Sequence, residues 1–291
     1  MGPLSVGPLS VGATIWRVET RDGIVLRAVD WAGDPARTPV LCLSGICRTA
    51  DDFAELAARQ AGLRRVVALD YVGHGESDRA PEVARYTPQA VLSDILDVCA
   101  AMHLPRVVSV GTSFGGLMTM FLSLVRPGLL RGALLNDIGP RVETDGMGIV
   151  SGFAGHDPGF AAIEDAVAYL RNLFPTMPIR DEAGWLRFAG LTYRAGGDGR
   201  LHPRWDTRIA QAFAAGGGGG DFGHVFRGLS AVPTALVWAE ASDILRWPTV
   251  SRMLLEKPDL DLIRFPGAGH APTLNEPEIV RAVDAFLEGI A

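Results

Sequence analysis

One serine, flanked by glycines where an apolar run gives way to a helix-forming run, carries the most chemical content in this sequence. The segment is Gly111-Thr112-Ser113-Phe114-Gly115-Gly116. It is preceded by Val107-Val108-Ser109-Val110, and the residue pattern predicts a helix from Gly115 to Val125. A strand-to-helix turn this sharp pushes the serine hydroxyl out above the sheet and has no room for larger side chains beside it. The helix also aims its free N–H groups and positive end at the same spot, which suits an oxygen gaining negative charge. The chemistry indicated is attack by Ser113 on a carbonyl carbon, through a covalent intermediate.

A serine hydroxyl needs a base. Of the six histidines, His270 alone lies in a loop directly after the last strand-like run, in Pro266-Gly267-Ala268-Gly269-His270-Ala271-Pro272, at the same sheet edge as Ser113. His74, in Gly73-His74-Gly75-Glu76-Ser77-Asp78, also belongs to that edge and reads as part of the loop's own structure. The base in turn needs an acid to orient it. Asp243 follows the strand Thr234–Trp238 and is taken as that acid, with Asp137 and Glu240 as rivals.

The developing oxyanion needs two backbone donors. The N–H of Phe114 is one. The other is expected from Ser44-Gly45-Ile46-Cys47-Arg48, at Ile46, with Gly45 permitting the turn. Cys47 lacks the elbow that would make it a nucleophile. Arg48 has two readings, an anchor for a polar group of the substrate or a surface partner of Asp51 or Asp52.

These residues need a scaffold. Ala13–Thr20 and Ile24–Trp31 read as a hairpin through Asp22-Gly23. Short, continuously apolar strands then alternate with helices: Pro39–Leu43, a helix over Asp51–Ala61 with Thr49 and Asp52 at capping-box spacing, Arg65–Asp70, and a helix opened by Thr87-Pro88. Strands follow at Val107–Val110, Gly132–Asp137, Thr234–Trp238 and Leu260–Phe265, and a last helix runs from Asn275 to Ile290. Continuous apolar strands separated by helices predict a mostly parallel sheet covered on both faces.

The alternation breaks once. Residues 139–231 form an inserted helical cap, with pieces at Ile163–Leu173, Glu182–Tyr193 and Thr207–Ala215 and a flexible run of glycines, Gly216–Gly220. The α/β core is then expected over 13–138 with 232–291, and residues 1–12, which repeat Gly-Pro-Leu-Ser-Val, are expected to form a disordered tail. Half of the aromatic residues fall in the insertion. Most build its own core, and a few must face the cleft, so Trp185 joins Arg48 and Gly45 as a candidate substrate contact.

The chain has 291 residues, 48% of them hydrophobic, enough for a large core. A net charge of −6 lacks the footprint of a nucleic-acid or anionic-membrane partner. Three scattered cysteines argue against a metal cluster or disulfide framework, and with no leader or membrane-spanning run the expectation is a cytoplasmic protein.

The sequence resembles the α/β-hydrolase fold superfamily from about residue 14 to the end. The resemblance rests on the Ser113 elbow, on Asp70-Tyr71-Val72-Gly73-His74-Gly75-Glu76-Ser77-Asp78, on Leu135-Asn136-Asp137-Ile138-Gly139-Pro140, on Ser242-Asp243-Ile244-Leu245 and on Gly269-His270-Ala271-Pro272. The order Ser113, Asp243, His270 is that superfamily's order. Many relatives have histidine where Ser44 stands. The resemblance implies a capped serine esterase with a Ser/His/Asp triad and no cofactor or metal. The expected substrate is a small carboxylic ester or lactone with an apolar or ring-bearing acyl group. A carbon–carbon bond hydrolase, a cofactor-free oxygenase or lyase, and a non-catalytic receptor are the alternatives on the same fold.

Overall fold

The computed structural model describes residues 12–141, 144–215 and 220–291. The polyglycine loop expected at Gly216–Gly219, and the terminal tail up to residue 11, lie outside the described residues.

The strands are β1 (Ala13–Glu19), β2 (Val25–Trp31), β3 (Val40–Leu43), β4 (Val66–Leu69), β5 (Val107–Thr112), β6 (Leu130–Asn136), β7 (Tyr193–Ala195), β8 (Leu201–Pro203), β9 (Thr234–Ala239) and β10 (Asp261–Phe265). Eight of them form one sheet in the order β1-β2-β4-β3-β5-β6-β9-β10. From β4 to β10 every neighbouring pair is parallel, while β2 runs antiparallel to both β1 and β4. The mostly parallel α/β sheet read from the apolar runs is therefore the one observed.

Among the described residues the α-helices are α1 (Ala54–Gln60), α2 (Pro88–Ala101), α3 (Phe114–Val125), α4 (Thr144–Ala154), α5 (Ile163–Leu173), α6 (Glu182–Thr192), α7 (Ile209–Ala215), α8 (Gly223–Phe226), α9 (Trp247–Glu256) and α10 (Val280–Gly289). Strand side chains alternate between faces, so β3 feeds two cores at once. Leu41 and Leu43 belong to the core cluster that also holds Ile95 of α2, Met118 of α3 and Met253 of α9, while Val40 and Cys42 belong to the one that holds Leu56 of α1 and Val283 and Leu287 of α10. No residue of β3 is exposed, which is why its sequence is apolar throughout rather than alternating.

Three local expectations differ from the structure. Thr49 caps nothing with its side chain, and a 3₁₀ turn over Ala50–Phe53 precedes α1; the Asp52 carboxylate goes to Arg48 instead. The last helix starts at Val280 rather than Asn275, because Glu276 turns back to accept from the N–H groups of Thr273 and Asn275. The segment between β6 and β9 is not purely helical, since β7 and β8 form a small antiparallel pair.

That segment has an aromatic core of its own. Phe153 packs edge-on to Phe174 at 5.2 Å and lies 5.1 Å from Trp205, and Phe160 meets Tyr193 at 5.2 Å between ring centroids. A buried ion network joins it to the sheet: Arg204, just after β8, donates to Asp51 (2.6 Å), which also accepts from Arg27 (2.8 Å) of β2. Among the described residues, no helix is long and apolar enough to cross a membrane.

Candidate active site

Ser113 sits between β5 and α3 in a left-handed conformation, with φ 51° and ψ −114°. Only close packing makes so strained a turn persist. A Cβ on Gly111 would come within 2.5 Å of the Gly115 backbone, and one on Gly115 would reach 2.0 Å from the carbonyl oxygen of Leu43. The two glycines thus let β3, β5 and α3 close on one another, as the motif predicts. The serine Oγ lies 2.8 Å from Nε2 of His270, and Nδ1 of His270 lies 2.7 Å from Oδ2 of Asp137. With Nδ1–H donating to the carboxylate, Nε2 presents its lone pair to the serine hydroxyl.

Asp137, not Asp243, is the acid that meets the imidazole. Asp137 follows β6 directly, is fully buried, and has a φ of 53°, a conformation that aspartate tolerates better than most residues. Its second oxygen accepts from the Ala239 N–H (3.0 Å), so the carboxylate is held at both ends. Asp243 lies four residues beyond the end of β9, in a turn that carries it outward; its side chain is 65% exposed and 3.7 Å from Arg246. Glu240, the other rival, pairs with Arg264 (2.6 Å) on the surface. Asn136, which the sequence reading passed over, donates to the Pro272 carbonyl (2.8 Å) and so ties the His270 loop to β6.

The backbone of Gly45 lies over the serine. A Cβ there would stand 3.8 Å from that of Ser113. That is ordinary contact, so glycine at 45 keeps space open beside the hydroxyl rather than relieving a clash. The Phe114 N–H opens α3 and has no carbonyl one turn back. The Ile46 N–H likewise has no protein acceptor among the described residues.

Two residues not expected from the sequence brace this loop: Tyr71 donates its hydroxyl to the Ser44 carbonyl (3.1 Å), and Nε2 of His74 contacts the Ile46 carbonyl. The other His74 ring nitrogen is 3.0 Å from the Val72 carbonyl, and burial pulls the ring's pKa below its ordinary 6.5 although both carbonyls oppose it. Position 44 supplies its carbonyl to Tyr71, and the Ser44 hydroxyl donates to the Arg48 carbonyl (3.3 Å) across the loop. Cys47 is buried with its thiol pKa pushed up by desolvation, so it is no nucleophile, and Cys42 and Cys99 are likewise free and buried.

Above Ser113 lies a cavity of about 380 Å³. Val150, Phe153, Phe174, Met177, Phe188 and Leu191 of the inserted segment form its apolar wall, and Ser113, His270, Gly45 and Ile46 lie on the opposite side. Arg48 borders it, but its guanidinium is committed: both oxygens of Asp52 and Oγ1 of Thr192 accept from it at 2.6 Å, and it stacks 4.3 Å from the Phe188 ring centroid. Trp185 does not reach the cavity. It is 7% exposed and packs within the insertion, 6.1 Å from Phe188 and 5.5 Å from Arg171. The insertion also touches the loop that carries the imidazole, where the Gly269 N–H donates to the Thr176 carbonyl (2.7 Å). Among the described residues, no cluster of His, Cys, Asp and Glu is arranged to hold a metal ion.

Comparison with known proteins agrees with this architecture. Residues 40–283 match the model of the alpha/beta hydrolase family. The chain is 30% identical over 276 residues to the 3-hydroxybutyrate-oligomer hydrolase of Cupriavidus necator, covering 89% of this chain and 92% of that protein. It is 26% identical over 258 residues to the 2-(acetamidomethylene)succinate hydrolase of Mesorhizobium japonicum, covering 86% and 87%. The crystal structure of an alpha/beta hydrolase from Novosphingobium aromaticivorans superposes with a TM-score of 0.90 at 35% identity, covering 95% of this chain and 98% of that one. Sheet order, nucleophile elbow and family match agree, and the chain belongs to the alpha/beta hydrolase family.

Proposed function

We propose that this protein is a serine hydrolase that cleaves a small carboxylic ester, linear or cyclic, through an acyl-serine intermediate. The observation that carries the reading is the unbroken chain of contacts from Ser113 through His270 to Asp137 beside an apolar cavity. In this mechanism the Ser113 oxygen attacks the carbonyl carbon while its proton passes to Nε2 of His270. Asp137 keeps the ring oriented and stabilises it once charged. The amides of Phe114 and Ile46 receive the oxyanion. The tetrahedral intermediate expels the alcohol, which takes the proton from His270. A water molecule, deprotonated by the same ring, then releases the acid and restores the serine.

The relative from Cupriavidus necator directs attention to esters of short hydroxy acids. The apolar wall of the insertion, which acts as a cap in this reading, accommodates an aliphatic acyl chain. The test is hydrolysis of p-nitrophenyl esters, 3-hydroxybutyrate dimers and trimers, simple lactones and a vinylogous diketone by the wild type and by Ser113→Ala. Ester or lactone turnover that is lost in Ser113→Ala, together with fluorophosphonate labelling of Ser113, supports the proposal. Turnover of the diketone alone would make the protein a carbon–carbon bond hydrolase, and unchanged ester turnover by Ser113→Ala would overturn the mechanism.

A further inference from the structure

On the far side of the Gly73–Asp78 loop from Ser113 lies a second cavity, of about 270 Å³, whose wall differs in chemistry from the first. Four arginines line it: Arg17 from β1, Arg79 from the loop after β4, Arg194 from β7, and Arg204 just after β8. Glu76 is the one carboxylate among its described lining residues. Such an excess of positive charge in one concavity stands out in a chain whose net charge is −6. Two of the four are paired with carboxylates, Arg204 with Asp51 and Arg17 with Glu76 (3.9 Å), while Arg79 and Arg194 have no ion pair among the described residues. Arg17 donates to the Glu76 carbonyl (2.5 Å), Arg194 to the Gly75 carbonyl (3.1 Å) and Arg204 to Asp51 (2.6 Å), and Arg79 has no partner among the described residues. Each guanidinium has five N–H donors in a planar fork, a geometry that fits carboxylate and phosphate oxygens, so most of the donors around the cavity remain available.

From this we infer that the cavity is a binding site for a phosphoryl group, either free phosphate or the end group of a small phosphate ester. The site is distinct from the catalytic one. The volume exceeds that of phosphate alone and leaves room for a small organic remainder. The arginines come from both sides of a seam, Arg194 and Arg204 from the insertion and Arg17 and Arg79 from the sheet and its loop. A bound dianion therefore cross-links the two parts, which are already joined there by the Gly75 N–H to Arg204 carbonyl bond (2.7 Å).

The experiment is calorimetric titration and thermal unfolding of the full chain with inorganic phosphate and with glycerol 3-phosphate, against sodium chloride of equal ionic strength. Matching the salt removes general screening from the comparison. Saturable binding is expected for the wild type and for Ser113→Ala, with Tm raised by about 2–4 °C at saturation. Arg79→Glu and Arg194→Ala should weaken binding by about tenfold or more, since each removes a charged donor of the site. Arg79 makes no hydrogen bond or ion pair among the described residues, so its replacement leaves the unliganded Tm as a control. Tighter binding of the ester assigns the site to a phosphate ester, and equal binding assigns it to free phosphate. Absence of binding by both probes, or binding unaltered in both variants, overturns the inference and leaves the proposed hydrolysis untouched.

Discussion

The Asp137 carboxylate bridges two elements, with one oxygen 2.7 Å from Nδ1 of His270 and the other 3.0 Å from the backbone N–H of Ala239. The imidazole is thereby positioned from the end of β6, while the serine it serves hangs from the neighbouring β5. Replacement of Asp137 by asparagine should lower kcat for ester hydrolysis by about 10³–10⁴-fold, as when the orienting acid of such a triad is lost. Asp243→Asn should stay within about twofold of wild type, as expected of an exposed side chain outside the site. Steady-state rates on a p-nitrophenyl ester decide the matter, and the reverse ranking would return the acid's role to Asp243.

Gly45 offers a test of space rather than of backbone strain. A methyl group there would meet Arg48 at 3.5 Å and Ser113 at 3.8 Å, both ordinary contacts. Gly45→Ala should fold with Tm within about 2 °C of wild type, since nothing is overpacked. Its kcat/KM should fall by about tenfold or more, with bulkier acyl groups hit hardest, because the space lost lies where the carbonyl must approach. Equal losses for acetyl and longer acyl esters would contradict this account.

Under the proposed mechanism His74 is a positioning residue, acting on the Ser44–Arg48 loop through the Ile46 carbonyl. His74→Phe keeps an aromatic ring but loses the donor, and should reduce kcat by about tenfold with KM little changed, the signature of weakened transition-state stabilisation. His74→Gln carries an N–H donor and should recover part of that loss. Parallel losses in kcat and Tm across both variants would mean that the ring merely fills space.

The ion network at the seam has its own pH signature. Burial pushes the Asp51 carboxyl up, but the hydrogen bonds and charges of Arg27 and Arg204 outweigh it and leave the pKa below the ordinary 3.8. A carboxylate so lowered contributes stability that is fully present above its unfolded pKa and is lost as pH falls through the folded one. Asp51→Asn should cost about 3 kcal/mol at pH 7, because it leaves buried arginine charge uncompensated. The gap to wild type should then close as the pH drops below about 4. Urea unfolding of both proteins from pH 3 to 7 measures it, and a gap independent of pH would refute the assignment.

Much of this site was legible in the sequence because its signals are local. Gly111 and Gly115 announce a turn whose packing demands are steric, and His270 follows a strand that nothing else interrupts. The acid was misread because the ends of β6 and β9 are adjacent at the same sheet edge, so strand order alone leaves both Asp137 and Asp243 in range. What separates them is direction. Asp137 turns inward at a left-handed residue directly after its strand, whereas Asp243 comes later in a turn heading for solvent. Trp185 stands away from the cavity for a related reason: an aromatic residue on α6 points into the insertion's core or into the cleft according to helix rotation. The commitment of Arg48 to Asp52 and Thr192 likewise depends on where α6 settles.

The contact between Gly269 and Thr176 links access to alignment. A Cβ at Gly269 would lie 1.9 Å from Oγ1 of Thr176, so the Thr176 side chain packs directly on the glycine backbone and leaves no room for a larger residue there. A lid swinging off as one rigid piece would tear away the support beneath the proton-transferring ring. Arg187 of α6 and Glu55 of α1, joined by an ion pair, also line the cavity, and under the proposed function entry is expected by parting them while the Thr176 side stays clamped like the hinge of a clam. In hydrogen-exchange terms, the Gly269 amide should remain protected during turnover even as the α6 end breathes.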